Sequence, residues 1–118
     1  MDAQTLYDTV ADALRTVLDE EGQSRRPRLA RRMLGGSVVF IDGEGREVKT
    51  LPVEAVFKKV TAVREKLRLV EQKVNGAKGL DPVIRAEVQA YLTKAYGSLT
   101  TFNFLFRDDA DKFRGVKG

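Results

Sequence analysis

Apolar residues recur along this chain at spacings that change character from one stretch to the next, and those changes divide it into elements. Over residues 3–21, Leu6, Val10, Ala13 and Val17 follow one another at steps of four, three and four. Tyr7, Leu14 and Leu18 widen the stripe, which predicts an amphipathic helix. Asp2 fits its N-cap and Gly22 its stop. The stretch from Gln23 to Gly36 fits two readings: a short helix opened by Pro27 with Leu29 and Met33 on one side, or an extended arm.

The period then falls to two. Ser37–Ile41 is a β-branched and aromatic run, and residues 47–51 alternate polar with apolar. Between them Asp42-Gly43-Glu44-Gly45 is turn chemistry, with glycines able to take positive φ. A β-hairpin is expected over residues 37–51, ended by Pro52.

From Val53 to Asn75 the spacing is helical again. Val56, Val60, Val63, Leu67, Val70 and Val74 alternate steps of four and three over three heptads, flanked by Lys59, Lys66 and Lys73. Packing within the same domain is favoured over an intermolecular coiled coil, because in a parallel homodimer those lysines would face the mixed set Phe57, Arg64 and Glu71. A short connection leads to Asp81-Pro82, an N-cap followed by proline at the first helical position. The next stripe is Ile84, Val88, Tyr91 and Ala95, supported by Leu92 and Tyr96. Two helices so closely joined are expected to pack antiparallel.

Residues 99–106 fork. Leu99, Phe102 and Phe106 continue the helical stripe, while Phe102, Phe104 and Phe106 would also share one face of a strand. The expectation is helix, with the strand kept as the alternative. Arg107 to Gly118 is polar apart from Phe113 and is expected to be a mobile tail. The predicted fold is therefore α+β and mainly helical: an N-terminal helix, a small β-hairpin and a C-terminal antiparallel helical hairpin. One compact domain is expected over 1–106, with the tail at 107–118.

Composition narrows the chemistry. The 118 residues include no Cys, His or Trp. Disulfides and thiolate catalysis are excluded, as are Ser–His and Cys–His nucleophile pairs and imidazole-ligated metals. No converging carboxylate–lysine pair stands out, so no catalytic residue, cofactor or metal is expected. No apolar run approaches the ~18 residues that span a bilayer, and the acidic start is unlike a signal peptide, so a cytoplasmic protein without membrane contact is expected.

Charge is unevenly spread over a net +4. Residues 2–21 hold six acids against Arg15, whereas residues 23–34 hold Arg25, Arg26, Arg28, Arg31 and Arg32 with no acid. Guanidinium groups suit phosphate or carboxylate recognition, which makes this cluster the candidate site for nucleic acid or an acidic partner. Its bland alternative is pairing with the acidic first helix or with Asp108, Asp109 and Asp111. No aromatic residue is interleaved with the arginines, so no standard nucleic-acid module is matched. Phe102, Phe104 and Phe106 are the candidate self-association surface. Asp42, Glu44 and Glu47 miss the calcium-loop spacing, and Gly35-Gly36 leads into a strand instead of opening a phosphate-binding helix. The function expected is a non-enzymatic assembly module that self-associates as a homodimer, with nucleic-acid binding through the arginine cluster as the alternative.

Overall fold

The computed structural model describes residues 2–20 and 26–115, with side chains in the first stretch described only through residue 11. Helix α1 runs Ala3–Glu20. Its N-cap is Asp2, whose carboxylate accepts the Thr5 N–H at 2.7 Å. Gly22, its expected stop, lies outside the described residues. Leu6, Tyr7 and Val10 are all more than half exposed, so the visible part of the α1 stripe covers nothing.

The segment after it combines both sequence readings. Arg28–Ala30 is extended, and Arg31–Met33 then closes one 3₁₀ turn. Gly35 at φ +74° reverses the chain, and its N–H is held by the Glu54 carboxylate at 2.7 Å. At Gly36 a Cβ would stand 3.1 Å from the Met33 carbonyl oxygen and 3.2 Å from Val53, so the glycine pair serves close packing onto the next helix.

Strands β1 (Ser37–Ile41) and β2 (Glu47–Pro52) form an antiparallel two-stranded sheet. Val38 faces Leu51 and Phe40 faces Lys49, with a bulge between Phe40 and Ile41. Asp42 organises the turn: its Oδ1 accepts the N–H groups of Glu44 and Arg46, both at 2.9 Å. Those bonds hold its carboxyl below the ordinary aspartate range. Asp42, whose spacing from Glu44 and Glu47 misses that of a calcium loop, thus has a structural task in the turn.

Helix α2 spans Val53–Gly76 and α3 spans Pro82–Leu99. Asp81 caps α3 through the Val83 N–H at 2.7 Å. The pair runs antiparallel: Arg85 and Gln89 bond Asn75 near the connection, while Tyr96 feels the charges of Glu71, Arg68 and Arg64. Gly97 is buried within α3, and Gly115 of the C-terminal segment comes so close that a Cβ there would stand 2.6 Å from the Gly97 nitrogen.

After Leu99 neither fork is taken whole. Thr100–Leu105 tightens into 3₁₀ helix, and Phe106 then turns extended to make a single antiparallel bridge with Leu29. Ala30 donates to the Leu105 carbonyl and Arg107 to that of Arg28, each at 2.8 Å. The bridge clasps the arm before the hairpin to the segment after α3.

The core gathers where these elements meet. Val53, Phe57 and Val60 of α2 pack with Leu105, Phe106 and Phe113, flanked by Leu29, Met33, Val38, Tyr96 and Leu99. Phe106 stands edge-on to both Phe57 and Phe113, with centroids 5.2 and 5.5 Å away. A mobile tail from residue 107 is therefore not what the fold contains. Phe113 is 4% exposed, Arg64 holds the Asp111 carbonyl at 3.0 Å, and Asn103 bonds the backbone of Phe113. The one aromatic residue of a mostly charged stretch anchors that stretch on the core. The compact unit thus extends past residue 106, and none of the described α1 side chains belongs to its core. Residues 116–118 lie outside the description.

Candidate functional site

The clasp joins two clusters that the sequence keeps far apart. Arg28 and Asp108 are 80 positions apart, yet their side chains pair at 3.0 Å. Around this pair Arg31, Arg32, Arg107 and Lys112 line an open groove of about 560 Å³ with Phe104 and Phe106. Lys112 is drawn to Asp109 at 2.8 Å, whereas among the described residues no carboxylate pairs with Arg31, Arg32 or Arg107. Arg26 lies apart, in a second groove along α2. Arg25 is outside the described residues.

The three phenylalanines have different fates. Phe106 is 3% exposed, so it forms no contact surface, and Phe102 is partly buried against the core. Phe104 alone remains half exposed, and it sits among the arginines. The aromatic residue missing between the arginines in sequence is supplied by the fold. Arg107 and Lys112 also join the site only through the clasp, and no local pattern points to them.

A second surface lies on the helical pair. The α2 seam is half covered: Val60 is buried and Leu67 and Val74 are intermediate, but Val63 and Val70 are 46% and 45% exposed. On α3, Leu92 is buried while Ile84 and Tyr91 are 45% and 68% exposed. Counted from Val60 and Leu92 at about 100° per residue, Val63, Val70, Ile84 and Tyr91 all lie roughly 60–100° to the same rotational side. In antiparallel helices those sides form one face, so the four residues make a continuous bare strip. Lys59, Lys66 and Lys73 border it on α2, and Glu87 stands on the α3 margin. The opposite face carries the C-terminal segment, through Phe57–Phe106, Arg64–Asp111 and Tyr96–Phe113.

No group of three or more acids within reach of one metal ion occurs among the described residues, and no described helix is long and apolar enough to cross a membrane.

No curated protein and no solved structure matches the chain. A family model described as a domain of unknown function, DUF8685, matches residues 23–112. That is most of the sequence, from just beyond α1 to the segment carrying Asp111, and the chain belongs to this family.

Proposed function

We propose that this protein is a non-enzymatic assembly module that self-associates. The observation that carries the reading is the bare strip of Val63, Val70, Ile84 and Tyr91, running along two helices whose other face is already covered. Isolated exposed valines are ordinary, but an aligned strip on two packed helices is the kind of surface that contact sites use.

The test is molecular mass in solution, by sedimentation equilibrium over a concentration series. A dimer that dissociates on dilution is expected. A strict monomer at several hundred micromolar would remove the reading.

One observation favours a second reading, binding of single-stranded nucleic acid: Phe104 lies half exposed among Arg31, Arg32 and Arg107. Cations that follow a phosphate backbone beside a ring that stacks a base are the elements of sequence-tolerant binding. Replacing Arg31, Arg32 and Arg107 with Ala is then expected to weaken oligonucleotide binding and reduce its salt slope by roughly one per lost phosphate contact. Absence of binding at ~50 mM salt would dispose of it.

A further inference from the structure

We propose that the bare strip on α2 and α3 is the docking site for helix α1 of a second copy, so that two chains exchange their N-terminal helices. This rests on the self-association reading and specifies its contacts.

The two surfaces match in length, polarity and charge. The 18 residues of α1 extend about 27 Å, and the lysine row from Lys59 to Lys73 about 21 Å, so one helix can lie along the strip. Leu6, Tyr7 and Val10 present an uncovered apolar stripe, and the sequence repeats that spacing through Val17. Residues 2–21 carry a net charge of −5, from Asp2, Asp8, Asp12, Asp19, Glu20 and Glu21 against Arg15. The strip is bordered by three lysines against the single acid Glu87. An acidic amphipathic helix meets a basic-edged apolar face, which favours encounter and fixes orientation.

The tether favours exchange over docking within one chain. Arg26 and Pro27 share a groove with Lys58, Thr61 and Glu65, which are about 120–180° round α2 from Val63 and Val70. The six Cα–Cα steps from Glu20 to Arg26 reach about 21 Å when fully stretched. Carrying the chain's own α1 round to its strip, at the ~9 Å axial spacing of packed helices, needs an arc of about 19–28 Å, which takes the linker to its full stretch or past it. A neighbour's strip within that reach needs no such route round α2. Reciprocal exchange buries two copies of the same contact, as a two-fold dimer requires.

The absence of cysteine makes a direct test clean. Full-length chains carrying only Val10→Cys are mixed with chains carrying only Val70→Cys and oxidised gently. The expected product is a disulfide between unlike chains, in clear excess over the two like-chain products. In parallel, Leu6→Gln with Val10→Gln, and separately Val63→Gln with Val70→Gln, are weighed at equilibrium against the unsubstituted protein. Each pair is expected to weaken the dimer roughly tenfold or more, since each removes two apolar side chains from one contact. Far-UV circular dichroism of each variant confirms that these exposed changes leave the helices intact. A monomeric unsubstituted protein overturns both the exchange and the self-association reading. A dimer indifferent to both pairs, or lacking the unlike-chain disulfide, overturns the exchange alone. A chain carrying both cysteines that closes on itself as a monomer does the same, by placing α1 on its own strip.

Discussion

Asn103 holds the backbone of Phe113 with both ends of its carboxamide. Its Nδ2 donates to the Phe113 carbonyl at 3.0 Å, and its Oδ1 accepts the Phe113 N–H at 2.7 Å. One side chain thus does for a single residue what a neighbouring strand does for many. It satisfies both polar groups of Phe113 while the ring inserts between Phe106 and Tyr96. Phe113→Ala is expected to cost about 3–5 kcal/mol, as for other buried rings. Asn103→Ala is expected to cost roughly 2 kcal/mol, because it orphans two buried backbone groups. Urea unfolding measures both, and a Phe113→Ala change near zero would mean that the C-terminal segment is not part of the folded unit.

Arg64 and Asp111 form a more hidden link. Arg64 Nε donates to the Asp111 carbonyl at 3.0 Å, and the charged groups approach to 3.9 Å with side-chain exposures of 15% and 6%. Removing one partner leaves the other charge buried, so Arg64→Met is expected to cost about 3 kcal/mol. Arg64→Met combined with Asp111→Leu is expected to recover most of that loss. A double-mutant cycle in urea gives the coupling.

The Tyr96 hydroxyl is buried without a hydrogen-bond partner among the described residues. Burial, with the Glu71 charge adding to it, raises its pKa above the ordinary phenol value. A phenol whose folded pKa is raised contributes stability below about pH 10 and loses it as pH climbs towards the folded value. Tyr96→Phe is therefore expected to be neutral or up to ~1 kcal/mol more stable at pH 7. It should also unfold less readily than the parent above about pH 10, as alkaline melting curves would register.

At the acid end the sign reverses. The Gly35 N–H lowers the Glu54 pKa, and the N–H groups of Arg46 and Glu44 lower that of Asp42. Carboxylates lowered in this way stabilise the fold above about pH 4 and cease to as pH falls through their folded values. Glu54→Gln keeps an acceptor for Gly35 but no longer titrates. Its melting temperature is expected to fall less steeply than the parent's between roughly pH 4 and 2.

How much of this was legible in the sequence depended on distance along the chain. Helix α2, the hairpin, the Asp2 and Asp81 caps and the start of α3 all follow from neighbours within a few residues. Their expected bounds lie within one or two positions of the observed ones. The clasp was illegible because a one-pair bridge leaves no alternation to read in either partner. Phe113 looked incidental in a polar stretch, since nothing nearby announces that Asn103 will hold its backbone. The heptad seam correctly marked α2 as amphipathic. Its spacing does not say how wide a partner is, and α3 with the C-terminal segment covers Val60 while leaving Val63 and Val70 bare. The arginine cluster was plain in the sequence, but its aromatic companion and Arg107 came only with the fold.

The bridge between Leu29 and Phe106 constrains the order of folding events. It closes a loop of roughly 75 residues, an entropic cost near 4 kcal/mol before any contact is gained. The turn at Asp42 and the α2–α3 connection join near neighbours and can form early and independently. The long-range pair becomes favourable once both are in place and the aromatic rings have begun to collapse. Opening would run in the reverse sequence, with the amides of Ala30 and Arg107 losing protection from hydrogen exchange before those of β1 and α2.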